Sequence, residues 1–124
     1  MKIAKTALLS MAVVCLVFSF AFAATGDAAK GKALFNDPKL GGAPGEKSCG
    51  TCHPDGKGLE KAAGKKEFNL GGKTQKSLEE AINMCVANAI KGKALDPKSD
   101  QMKNLVAYIK SLKGKASEKT KKTD

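Results

Sequence analysis

Cys49 and Cys52 stand three positions apart, and His53 directly follows the second cysteine. Two thiols at this spacing with a histidine next to them form the covalent attachment site of a c-type haem. Each thiol adds across one vinyl group of the porphyrin, and the imidazole lies under the iron as its proximal ligand. Zinc would need two further ligands at knuckle spacing, and the other cysteines, Cys15 and Cys85, stand alone. A thioredoxin-like redox pair would need a βαβ pattern around it, and none is visible. His53 is the only histidine in the chain. One motif implies one haem c.

The elements around the motif read as helices and loops. Gly26 to Phe35 predicts a short helix with Asp27 as N-cap and Ala29, Ala33 and Leu34 on its apolar stripe. Asp37-Pro38 ends it. Leu40 to Lys47, rich in glycine, is a loop leading into the motif, and Pro54-Asp55-Gly56 is a turn leaving it. From Lys57 to Gly72 a Gly- and Lys-rich crossing offers Leu59, Phe68 and Leu70, suited to the porphyrin or to simple anchoring of the loop. Thr74 to Lys91 predicts a second helix, stopped by Gly92, with Leu78, Ala81, Ile82, Cys85, Ala89 and Ile90 on one face. Ser99 or Asp100 caps a third helix carrying Met102, Leu105, Val106, Ile109 and Leu112 and ending at Gly114. Residues 115–124 are polar and lysine-rich and read as a disordered tail. No strand and no internal repeat is predicted. The class is all-α, with about three main helices and loops wrapped round one covalent haem.

The N-terminus sets the compartment. Two lysines in Met1 to Lys5, an apolar run from Ala7 to Phe22, and Ala21-Phe22-Ala23 before Ala24 read as a signal peptide over residues 1–23. The run is close to the lower limit for crossing a bilayer, so a retained anchor is the alternative. Val14 before Cys15 argues against a lipoprotein. The protein is expected in the periplasm or otherwise exported. Cleavage leaves about 101 of the 124 residues, one domain over 24–114, with a modest core to which the haem adds apolar mass.

All 22 basic residues are lysines, and about 20 remain against 12 acids after cleavage, a net charge of about +8. Without arginines or an aromatic platform this does not read as nucleic-acid binding. A lysine-rich surface would steer the protein to acidic redox partners or to an anionic membrane face. Solubility alone is the competing reading, because the lysines are spread along the chain. A monomer is expected.

Gly31, Leu34 and Phe35 before the haem motif, and Leu105-Val106-Ala107-Tyr108-Ile109 after it, resemble the small single-haem cytochrome c family over the whole mature domain. The resemblance implies that the first and last helices cross at Gly31, with Phe35 and Tyr108 in structural places. The family usually supplies a methionine to the iron from a loop before the last helix. No methionine lies in Gly92 to Gln101. The sulfur candidates are Met84, off the centre of the apolar stripe, Cys85, in mid-stripe, and Met102, on the core stripe of the last helix.

Ile82-Asn83-Met84-Cys85, followed by Lys91-Gly92-Lys93, Leu95, Ser99, Met102 and Val106-Ala107-Tyr108, is similar to a haem domain of thiosulfate-oxidising cytochromes. That resemblance implies Cys85 as a thiolate ligand, with Met102 and Met84 as alternatives. The arginine expected near the substrate in such sites has no counterpart here. Two functions follow: a one-electron carrier, which the small size favours, or a haem-thiolate enzyme or subunit acting on sulfur compounds such as thiosulfate. Lys91 and Lys93 are the cations that could serve the second. A gas-binding or sensing haem with a displaceable ligand is a weaker third reading.

Overall fold

The Asp27 carboxylate accepts the N–H groups of Ala29 and Lys30 at 2.8 and 3.1 Å, and the chain turns helical immediately after it. This helix, α1 (Ala28–Phe35), has the N-cap expected from its sequence. The computed structural model describes residues 26–121, with side chains through Lys115; the leader read over residues 1–23 lies outside them. Among the described residues no helix is long and apolar enough to cross a membrane.

The motif forms a one-turn helix, α2 (Cys49–Cys52). A hairpin of β1 (Phe68–Leu70) and β2 (Lys73–Gln75) follows, then α3 (Leu78–Asn88) and α4 (Asp100–Lys121). Short 3-10 turns fill the connections. Among the described residues three helices are longer than one turn, and the haem motif adds a fourth, one-turn helix.

The hairpin corrects the expectation of no strand. Its strands pair antiparallel, Phe68 with Gln75 and Leu70 with Lys73, around Gly71 and Gly72 at φ +57° and +76°. Two glycines with positive φ match the two-residue turn whose twist suits a hairpin. Strands of three residues are too short to show alternation, so the Gly-Gly pair was the only sequence signal.

The hairpin also moves the start of the second helix from Thr74 to Leu78. Ser77 is the N-cap: its Oγ accepts the Glu80 N–H at 3.1 Å, while Glu80 accepts the Lys76 N–H at 2.8 Å. At the other end α3 stops at Asn88 rather than Lys91. Lys91 takes a left-handed φ of 62°, and the Gly92 N–H reaches back to the Val86 carbonyl at 2.8 Å.

Ser99 caps α4, its Oγ accepting the Met102 N–H at 3.2 Å. The helix passes through Gly114 to Lys121, so the expected stop at Gly114 is not observed, and residues read as a disordered tail enter it. A lone glycine inside a helix costs only about 1 kcal/mol relative to alanine, and no proline follows to enforce a stop.

α1 lies across α4. A Cβ on Gly31 would collide with the Asn104 carbonyl, so the crossing depends on glycine there. Asn104 Oδ1 accepts the Asp27 N–H at 2.7 Å, and the rings of Phe35 and Tyr108 meet edge to face at 5.1 Å. Phe35, Leu40, Val86, Met102, Leu105, Ile109 and Leu112 fill the core beneath.

Candidate functional site

Within α2 the Ser48 N–H donates to Thr51 Oγ1 at 3.0 Å, and the His53 N–H donates to the Cys49 carbonyl at 3.0 Å. These bonds wind one turn and bring Cys49 and Cys52, three apart, to the same side. A Cβ on Gly50 would collide with the Asn36 amide oxygen just beyond α1, so the middle of the motif is pressed against the first helix.

His53 is held by the turn that follows it. Its Nδ1 lies 3.0 Å from the Lys57 carbonyl. A carbonyl can only accept, so Nδ1 carries a proton, and in the neutral ring Nε2 is then the nitrogen with the lone pair. That is the tautomer a metal-ligating histidine uses, with the carbonyl fixing the ring. The turn itself is tight: Asp55 and Gly56 have φ of 51° and 77°, and Gly56 is buried where a Cβ would run into Leu112.

A cavity of about 320 Å³ opens beside these residues. Cys49, Cys52 and His53 line one part of it, and α3 lines another with Leu78, Ala81, Ile82 and Cys85. Leu105 and Ile109 of α4 and Phe35 of α1 complete the apolar wall, together with Leu59, Phe68 and Leu70 from the crossing segment. Of those last three, Leu59 and Phe68 also pack against the core. Among the described residues Lys61 and Lys65 are the only cations lining the cavity.

The three thiols share this space. Burial, followed by the charge of Cys85, pushes the Cys49 thiol up to about 11. Burial, followed by the charge of Cys52, raises Cys85. Cys49 and Cys85 are therefore neutral S–H groups at neutral pH until chemistry consumes their protons.

The two methionines stand elsewhere. Met102 is fully buried in the core and borders a separate groove with Gly26, Pro97 and Val106. The Met84 sulfur accepts from the Asn88 amide at 3.4 Å and is absent from the cavity lining. Lys91 and Lys93 also lie outside it, exposed on the segment after α3. The structure thus gathers Cys49, Cys52, His53 and Cys85 and leaves Met84, Met102, Lys91 and Lys93 apart.

Two features escaped the sequence reading. Lys61 and Lys65 lay in a segment with no periodicity, and only the fold shows which of many lysines reach the cavity. Asn83 closes two hydrogen bonds of 2.8 Å onto the backbone of Leu95; an asparagine between Ile82 and Met84 gives no hint of a partner twelve residues on.

A largely apolar cavity lined by paired thiols, an imidazole and a third sulfur fits a porphyrin with a central iron. The sequence profile of the SoxA/TsdA cytochrome c domain matches residues 30–116, most of the chain. The chain belongs to the SoxA/TsdA cytochrome c domain family. No curated protein and no solved structure gives a match. The family fits the mostly helical fold with its single short hairpin. It also makes the chain a haem protein of the electron-carrying kind, with haem c as its cofactor.

Proposed function

We propose that this chain is an exported, single-haem c-type cytochrome that carries one electron at a time, with His53 and Cys85 as the two protein ligands of the iron. The observation that carries the reading is the grouping of Cys49, Cys52, His53 and Cys85 around one cavity. Cys49 and Cys52 would hold the porphyrin through thioether bonds, each S–H adding across a vinyl double bond. The Lys57 carbonyl partners His53 Nδ1, which would leave Nε2 as the nitrogen to hold the iron. When bound, the haem supplies a reversible ferrous–ferric couple, and a thiolate ligand would lower its potential.

The rest of the chain orients the group and excludes water. Leu105, Ile109, Ile82 and Phe68 close the cavity from different sides, which limits reorganisation of solvent around the centre. The charge of about +8 after leader cleavage suits acidic redox partners, and the N-terminal pattern suits export. Its small size leaves little surface for a separate substrate pocket, which favours a carrier over an enzyme.

The second reading, a haem-thiolate enzyme or subunit for sulfur compounds such as thiosulfate, draws on the family and on the presence of Lys61 and Lys65 at the cavity. Lys91 and Lys93 lend it no support, since they lie outside the cavity lining.

Electron paramagnetic resonance of the oxidised protein tests the ligand set. The expected result is a low-spin thiolate signal, lost in Cys85→Ala with a change of spin state or a new site for carbon monoxide. Met102→Leu should leave the signal intact and cost under about 1.5 kcal/mol, as volume-conserving core swaps do. A Cys85→Ala protein with an unchanged spectrum would remove the thiolate assignment. Sustained thiosulfate turnover by the isolated chain would move the reading to an enzyme.

A further inference from the structure

Haem carries two propionate carboxylates along one edge of an otherwise apolar macrocycle. A carboxylate pressed against an apolar wall is costly unless a cation or hydrogen-bond donor meets it. The cavity described above offers very few such groups. Ser48 is buried against Thr51, with their hydroxyls 3.3 Å apart, and His53 Nδ1 is committed to the Lys57 carbonyl. The remaining charged side chains at the cavity are Lys61 and Lys65.

These two lysines have three properties in common. Both are exposed, which places them at the opening of the cavity rather than in its apolar depth. They flank the 3-10 turn Ala62–Gly64, so one short segment presents both. Neither takes part in an ion pair among the described residues. Glu60, the acid next to them in sequence, instead accepts the Gly58 N–H at 2.9 Å. Two unpaired ammonium groups at the mouth of an apolar cavity match two carboxylates at the edge of an apolar ligand. The chain has no arginine to do the same work.

We propose that Lys61 and Lys65 are the cations that meet the haem carboxylates, and that they raise the reduction potential of the centre. The assignment rests on the haem-binding reading above. Its sign follows from charge: the oxidised centre carries one more positive charge than the reduced one, so nearby cations disfavour oxidation. They also neutralise carboxylates that would otherwise favour it.

The test is the midpoint potential of the purified holoprotein in wild type, Lys61→Gln, Lys65→Gln and the double variant. Lys98→Gln serves as control, an exposed lysine absent from the cavity lining. Solvent screens exposed charges, so each cavity lysine should change the redox equilibrium constant by about twofold, or ~18 mV at 59 mV per tenfold for one electron. The double variant should therefore fall by about fourfold, ~36 mV, with absorption and paramagnetic resonance spectra unchanged. A double variant whose potential stays with that of the Lys98→Gln control would overturn the assignment. Pigment that separates from the polypeptide in a denaturing gel would overturn covalent attachment alone, since the potentials test the lysines in either case.

Discussion

The clamp between Asn83 and Leu95 predicts a measurable loss of stability. Asn83 Nδ2 donates to the Leu95 carbonyl, and Asn83 Oδ1 accepts the Leu95 N–H, both at 2.8 Å. Leu95 is only 8% exposed, so Asn83→Ala strands a donor and an acceptor where water reaches them poorly. Two net hydrogen bonds are worth about 2 kcal/mol, and incomplete rehydration of the stranded groups brings the loss to about 2–4 kcal/mol. In a domain of this size that lowers the melting temperature by roughly 10–25 °C. Urea and thermal unfolding of the holoprotein, followed by circular dichroism, would measure it. Asn83→Asp adds a pH signature. A protonated carboxyl can accept from Leu95 N–H and donate to Leu95 O, restoring both bonds, whereas an ionised one faces the carbonyl. The introduced group thus has its folded pKa raised above the unfolded value of about 3.9. Its stabilising contribution is fully present below that value and disappears as pH rises through the folded pKa. The stability gap to wild type should widen from pH 4 to pH 7. An Asn83→Ala loss below about 0.5 kcal/mol, or a gap that ignores pH, would refute the clamp as a stabilising device.

Two further outcomes follow from the same structure. Among the described residues the buried Tyr108 hydroxyl has no hydrogen-bond partner, so Tyr108→Phe should be neutral or stabilising by about 1 kcal/mol in urea unfolding; a loss above 1 kcal/mol would mean that the hydroxyl has a partner in the holoprotein. Electron exchange with an acidic redox protein should slow as salt rises, because the Debye length shrinks to about 10 Å at 0.1 M; stopped-flow rates indifferent to salt would leave the lysines as a solubility coat.

Legibility in the sequence followed the range of the interactions. The Asp27 cap and the apolar stripes of α3 and α4 are local or periodic, and each shows in the residues themselves, whereas the glycine crossing at Gly31 was implied only by the family resemblance. The hairpin was not legible, because three-residue strands leave no pattern and the Gly71-Gly72 turn sat in a glycine-rich crossing. Gly114 misled in the opposite direction: glycine favours a helix end only where the chain gains something by turning there, and α4 continues. At the site, the attachment motif was readable as five contiguous residues. The place of Cys85 was suggested by its stripe and by resemblance, but which of Cys85, Met84 and Met102 shares a cavity with His53 depends on how α3 and α4 roll about their axes. That roll is set by long-range packing and by the Asn83 clamp, neither of which has a local signature.

The burial of the thiols bears on how such a site survives before it is filled. Thiolate is the species that attacks disulfides and oxidants, and the thiol form is slow. With the Cys49 thiol raised to about 11, only about one molecule in ten thousand carries the thiolate there at pH 7. Cys85 is raised in the same direction and for the same first cause, burial. Three cysteines in one cavity would otherwise be poised to pair wrongly under oxidising conditions. The same apolar walls that suit a porphyrin therefore keep the Cys49 and Cys85 thiols protonated in its absence. Thioether formation would then consume the Cys49 and Cys52 protons by addition, and metal ligation would lower the Cys85 pKa enough to release its own. In this account the protection ends only where the attachment chemistry begins.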